Sequence, residues 1–274
     1  MSDTETKGYL HGFTDEERDR LYHQARLVEH RVHDRLPYRR ARRLLEVGCG
    51  VGAQTEILLR RFPDLHVTGI DSSANNLAAA GEHLAQVPWA PGRYELREVD
   101  AAHTGDAADT YDAAFVAWVL EHVADPAQVL AEVQRVLQPG APIVCTEVHN
   151  ATFYLHPASP HLQRYWAAFN EYQVELGGDP YVGAKLGNLL LGAGFTEIET
   201  EVNTFHLDAR TPEDRHEFIT YWSGLLLSGA PTLLAAGKLD QATVDGTRHE
   251  LAHAANNPET VFYYSFIQAR ARAR

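Results

Sequence analysis

Between Arg43 and Val148, short apolar runs alternate with stretches of helical periodicity, and this constrains the fold of the 274-residue chain more than any other feature. Leu44–Val47, His66–Asp71, Tyr94–Val99, Ala113–Ala117 and Ile143–Val148 read as five strands. Helices are expected from about Ala53 to Phe62, over 73–86, and after Pro126, with Pro139-Gly140 breaking the last. Strands separated by helical segments of about ten to fifteen residues imply crossovers and a parallel sheet. The expected class is therefore α/β, with a Rossmann-like, mostly parallel sheet. Further on, Lys185–Ala193 reads as a helix capped by Gly194, and Thr196–Val202 and Val261–Ala269 read as the last strands.

Three segments fall outside this pattern: 1–36, 149–182 and 204–258. The first contains an expected amphipathic helix over about 14–36, with Leu21, Ala25, Val28, Val32 and Leu36 on one face. Thr14 and Glu17 fit a capping box, and Pro37 ends the pattern. Open α/β sheets place ligands at the carboxyl ends of their strands. The three segments, which carry much of the aromatic and histidine content, are therefore expected to form a helical cap there. The core would comprise 37–148, 183–203 and 259–270, the whole 1–274 forming a single domain.

Charge and cysteine content narrow the partners. Twenty-four basic against 37 acidic residues give a net charge of −13, which opposes binding to a nucleic-acid backbone. No apolar run approaches the ~18 residues of a membrane helix, and the polar, acidic start of the chain does not read as a secretion signal. Two cysteines, Cys49 and Cys145, make no disulfide framework, so a reducing cytoplasmic setting is expected. Arg270 to Arg274 reads as a solvated tail. A homodimer is compatible with all of this.

The segment Glu46-Val47-Gly48-Cys49-Gly50-Val51-Gly52-Ala53 follows a strand and opens a helix. Gly48 permits the turn, Gly50 lets a ligand lie against bare backbone, and Gly52 lets helix and strand pack closely. This spacing also satisfies the dinucleotide pattern, with Asp71 at a suitable distance for a ribose, so by itself it leaves NAD and S-adenosylmethionine (SAM) open. The surroundings separate them. Glu46 before the first glycine would repel a pyrophosphate but suits a ligand with an amino-acid end. Asp100-Ala101 closes the third strand where an adenine amino group could donate, and Trp118-Val119-Leu120-Glu121-His122 follows the fourth.

This ordered set resembles the class I SAM-dependent methyltransferases, within the ubiquinone/menaquinone-type group, over residues 43–148 and 185–202. The resemblance implies a seven-stranded sheet with a reversed final hairpin. It implies that Gly48, Gly50 and Gly52 line the methionine and ribose, with Glu46 supporting that end. Asp71 would take the ribose hydroxyls, Ser72, Asp100 and Ala101 would meet the adenine, and Trp118 and Val119 would lie under the sulfonium. The flanks resemble a narrower branch of the superfamily, which implies that Tyr9 and Gln24 close over the cofactor.

Methyl transfer needs no metal and no covalent enzyme intermediate. It needs alignment of nucleophile, methyl carbon and sulfur, and a lid against water. Aromatic faces can hold the sulfonium. Tyr22, Tyr165, Trp166, Tyr172 and Tyr264 are the candidates for contacting the acceptor; Tyr165-Trp166-x-x-Phe169-x-x-Tyr172 would present an electron-rich wall if one face is open. That wall suits an aromatic, indole-like metabolite methylated on C, N or O, as in natural-product biosynthesis. Candidate bases are His149, at a strand's carboxyl end, with His23, Glu29 and Glu171. His249 and His253 have zinc-pair spacing but lack a glutamate and a third ligand, so no metal is expected. The competing readings are an NAD-dependent oxidoreductase and a SAM-binding protein without methyl transfer.

Overall fold

A computed structural model of the chain describes residues 15–274, with side chains from residue 20 onward. Tyr9 and the Thr14 cap lie outside the described residues. All eight strands join one sheet. β1 (Arg43–Val47) pairs in parallel with β2 (His66–Asp71) and with β4 (Ala113–Ala117). β2 pairs with β3 (Tyr94–Glu98), and β4 with β5 (Pro142–Val148), again in parallel. The order runs β3-β2-β1-β4-β5, so chain direction across the sheet reverses between β1 and β4, where an open α/β sheet leaves its ligand crevice.

The central strands are buried on both faces, as their near-continuous apolar runs demand: every residue of β4 is buried. α3 (Ala53–Arg61), α4 (Ala74–Gln86) and α5 (Pro126–Val136) supply the crossovers. Ser73 caps α4 by accepting from the Asn76 N–H, and Asp125 caps α5 by accepting from Gln128.

The last strands differ from the sequence expectation in three ways. β7 (Thr196–Leu207) and β8 (Val261–Arg272) are longer than expected and pair antiparallel along most of their length. The arginine-rich end is not a solvated tail. Ala271 and Ala273 are buried, and Arg270 and Arg272 pair with Glu201 and Glu197 on the neighbouring strand. An eighth strand, β6 (Tyr154–His156), lies in the segment assigned to the cap. β8 meets β5 at Phe266–Arg272 and β6 at Val261–Tyr263, so β6 resumes the line of β5 after a 3-10 turn at Asn150–Thr152. No periodicity marks a three-residue strand.

The expected N-terminal helix is interrupted at Val28, giving α1 (Asp15–Leu27) and α2 (Glu29–His33). Over the strand ends lie α1, α6 (Pro160–Glu175) and, beyond α7 (Leu186–Gly192), which leads into β7, α8 (Pro212–Ser228), backed by α9 (Ala230–Ala235) and α10 (Gln241–Asn256). The continuous stretch Pro212–Ala235 is long and apolar enough to cross a membrane by length and composition, which the sequence reading overlooked. Its Phe218, Ile219, Trp222, Leu226 and Leu233 are buried in the protein's own core.

Candidate active site

A cavity of about 700 Å3 opens at the carboxyl ends of all five parallel strands, within the ~300–1,000 Å3 usual for small-molecule sites. Gly48, Cys49 and Gly50 after β1, Asp71 and Ser72 after β2, and Asp100 and Ala101 after β3 line one part of it. Trp118 and Val119 after β4, and Val148 and Asn150 after β5, line the centre.

The glycine turn is fixed by carboxylates. Asp71 Oδ2 accepts from the Gly50 N–H at 2.9 Å and Oδ1 from the Ser73 N–H at 2.8 Å, so one side chain ties the turns after β1 and β2 together. Gly48 and Gly50 both have left-handed backbones, at φ +65° and +52°. A Cβ on Gly48 would collide with Val119, whereas a Cβ on Gly50 would find no protein atom within 4 Å. The chain thus leaves bare backbone facing open space. Gly52 does not line the cavity; it lies against Ala80 and Leu84 of α4. Glu46 is buried beneath the turn, its Oε2 accepting from Thr55 Oγ1 at 2.6 Å.

Trp118 is a bulky residue in the left-handed region, at φ +60°, a conformation that persists only where its surroundings impose it. Its N–H donates to the Thr146 carbonyl, and Glu147 Oε1 accepts from the next two N–H groups, those of Val119 and Leu120, at 2.9 and 2.8 Å. The indole packs edge-on against Phe266 at 5.2 Å, with its buried Nε1–H lacking a partner among the described residues.

Burial pushes both Glu46 and Glu147 up to about 8; Asp71 adds to the first shift and Glu121 to the second. A folded state that holds protons more tightly than the unfolded chain is favoured at low pH. The contribution of these two groups is complete below about pH 4.5 and is lost as pH rises through about 8. The urea midpoint is therefore expected to fall between pH 6 and pH 8.5, and the E46Q/E147Q double variant to show a flatter profile. A variant profile as steep as the parent's would remove these carboxyls as the cause.

The rest of the cavity is aromatic. α6 contributes Trp166 and Phe169, α8 contributes Phe218, Tyr221 and Trp222, and the antiparallel pair β7 and β8 contributes Phe205, Tyr264 and Phe266. Phe153 stacks on Trp222 at 4.5 Å, and Trp166 packs against both. Tyr264 donates to Asn150 Oδ1 at 2.8 Å, and Asn150 Nδ2 donates to Asn170 Oδ1 at 2.7 Å. Burial holds the Tyr264 phenol well above its ordinary pKa, so it stays a donor.

The expected cofactor set is largely brought together: Gln24, Gly48, Gly50, Asp71, Ser72, Asp100, Ala101, Trp118 and Val119 all line the one cavity. The expected acceptor set divides. Trp166 and Tyr264 line the cavity. Tyr165 is fully buried core, donating to the Leu226 carbonyl. Tyr22 stacks on His83 and donates to the Val51 carbonyl, and Tyr172 packs beneath Lys238.

None of the four expected bases lines this cavity. Glu29 is held by Arg60 and Arg61; burial works to raise its pKa, but these hydrogen bonds outweigh it and lower it. His23 is exposed beside the Tyr221 ring. Glu171 borders a separate cavity. After β5 the 3-10 turn presents Asn150 rather than His149, whose Nδ1 is buried with no partner among the described residues. Cavity-lining residues to which the sequence reading gave no role include Asn150, Glu121 and the α8 aromatics. The aromatic run Phe218–Trp222 was a visible signal for the last group. No group able to hold a metal occurs among the described residues, His249 and His253 included.

Comparison with known proteins decides between the nucleotides. Residues 45–145 match the family described as a methyltransferase domain. The ubiquinone/menaquinone biosynthesis C-methyltransferase UbiE of Desulfotalea psychrophila is 30% identical over 172 residues, covering 58% of this chain and 67% of that protein. The chain belongs to the class I SAM-dependent methyltransferases. SAM is the cofactor of this family, so the dinucleotide reading of the glycine turn is set aside.

A trans-aconitate 2-methyltransferase of Deinococcus radiodurans is 30% identical over 165 residues, or 60% of this chain and 58% of that one. The chain spans about half to two thirds of the length of such curated relatives. The fold is shared with a Haemonchus contortus phosphoethanolamine N-methyltransferase 2 solved with phosphomonomethylethanolamine and S-adenosylhomocysteine. There the TM-score is 0.56 at 21% identity, covering 91% of this chain and 52% of that one. It is also shared with the [4+2]-cyclase SpnF, with a TM-score of 0.54 at 22% identity, over 89% and 79% of the two chains.

The residues present fit the cofactor. The cavity offers bare backbone at Gly50 and carboxylates at Asp71 and Asp100, groups that suit hydroxyls and an amino group.

Proposed function

We propose that this methyltransferase methylates an apolar, aromatic small molecule, and that the aromatic half of the cavity is its acceptor site. The observation that carries this is the wall itself. Nine aromatic side chains line the cavity, and Arg20, tied to Gln24, is the one Arg or Lys among the described lining residues. Relatives named for trans-aconitate or phosphoethanolamine act on anionic acceptors, which call for cations, and among the described residues this cavity offers only Arg20, already tied to Gln24. A flat, electron-rich wall holds an indole or phenol by stacking and favours cationic character developing on it during transfer.

SAM supplies an activated methyl group on a sulfonium. In this reading Gly48 and Gly50 run along its methionine and ribose, Asp71 takes the ribose hydroxyls, and Ser72, Asp100 and Ala101 meet the adenine. Trp118 and Val119 lie beneath the methyl-bearing end, and Gln24 covers it. Trp222, Phe218 and Phe205 exclude water and hold the acceptor ring. The proton lost from the acceptor passes to a group that lines the cavity; His122, 3.7 Å from Glu121 through its Nε2, is the candidate.

The test is product analysis with SAM and a panel of indoles, phenols, aliphatic acids and phospho-amines, alongside thermal shifts with SAM and NAD. Methylated aromatic products are expected. Products from the acids or phospho-amines alone would overturn the proposal, and a SAM shift with no product anywhere would mark a SAM-binding protein without transfer.

A further inference from the structure

A second cavity of about 520 Å3 lies on the far side of Trp166 and Asn150, and both of these residues also line the reaction cavity. It is formed by the turn after β5, by β6 and by α6, the stretch where the sheet edge resumes after its interruption. Tyr154 and Tyr181, 55% and 37% exposed, stand at its border. Glu171 is the one Asp, Glu, Lys or Arg among its lining residues, and no ion pair engages that carboxylate among the described residues. Next along the same helix face, Glu175 is paired with Lys238.

We propose that this outer cavity binds a protonated amine on the acceptor, so that the substrate is an aromatic ring carrying a basic alkylamine arm. The proposal rests on the aromatic-acceptor reading and adds to it. The ring occupies the inner chamber against Trp166, which lines both cavities, the arm crosses at that shared boundary by displacing Asn150 from its hydrogen bond to Asn170, and the ammonium sits between the Glu171 carboxylate and the tyrosine faces. Each partner is suited to a cation: the carboxylate by charge, the ring faces by their quadrupole. An anionic arm meets only repulsion from Glu171, and a neutral one forfeits both attractions.

The experiment is calorimetry on the full chain in saturating S-adenosylhomocysteine, with three probes of matched size: tryptamine, 3-propylindole and indole-3-propionate. Tryptamine is expected to bind about five- to tenfold more tightly than 3-propylindole, with the propionate weakest. E171Q is expected to abolish the preference for the amine while leaving S-adenosylhomocysteine affinity unchanged. A preference that survives E171Q, or equal binding of tryptamine and 3-propylindole, overturns the proposal. The two readings fail differently. Equal binding with methylation of indoles removes the amine site alone. No binding of any probe, in protein that still binds S-adenosylhomocysteine, removes the aromatic acceptor with it.

Discussion

Gly50→Ala is expected to weaken SAM binding about a hundredfold or more, on the order of 2.7 kcal/mol, in a protein that still folds. The added methyl meets no protein atom within 4 Å, so the fold itself has room for it. The space it enters is the cavity beside the glycine turn, where the cofactor backbone is proposed to lie. The left-handed φ of +52° adds a cost on the order of 1–2 kcal/mol, enough to lower Tm by several degrees but not to unfold a chain of this size. Gly48→Ala makes the contrast. Its Cβ would drive into Val119, whose N–H is pinned by Glu147, so fold and binding should fail together. Circular dichroism with calorimetry on both variants checks this. Normal SAM affinity in folded Gly50→Ala protein would mean that the cofactor does not lie along this turn.

Trp222→Ala should cost about 3–5 kcal/mol and lower Tm on the order of 10 °C. The side chain is 4% exposed, stacks on Phe153, and packs edge-on against Phe262. It also lines the reaction cavity, so its loss opens the proposed acceptor wall. Because it sits on α8, away from the glycine turn, SAM affinity should change less than about twofold while acceptor kcat/KM falls at least about tenfold, roughly 1.4 kcal/mol. Trp222→Phe keeps a ring in the stack and should recover most of the stability. A Tm within 2 °C of the parent (an order-of-magnitude bound on the same buried-ring cost), or unchanged acceptor kinetics, would show that the indole matters neither to packing nor to the acceptor.

The sheet core and the cofactor end were legible because their signals are local. A buried parallel strand is a run of apolar residues, and the glycine turn, Asp71 and Asp100 sit at fixed distances from strand ends. β2 and β4 fall where the sequence puts them, and every expected cofactor residue within the described part except Glu46 and Gly52 lines one cavity. The acceptor end was legible only as composition. Tyr165, Trp166 and Phe169 share helical spacing, yet Tyr165 is sealed in the core while the other two line the cavity.

His149 illustrates the limit most sharply. Its position after β5 suggested a base, whereas the residue that lines the cavity at the start of the 3-10 turn is Asn150. The sequence by itself determined the α/β class, the parallel character of the sheet and the place of the glycine turn, because apolar runs, helical periodicity and glycine spacing are signals carried within single strand–turn–helix stretches. Only the tertiary structure decided which aromatics line the acceptor wall, that β6 resumes the sheet edge, and that a second cavity adjoins the first. Those outcomes depend on how three distant segments pack on one another, and side chains equal in spacing and hydrophobicity part company there.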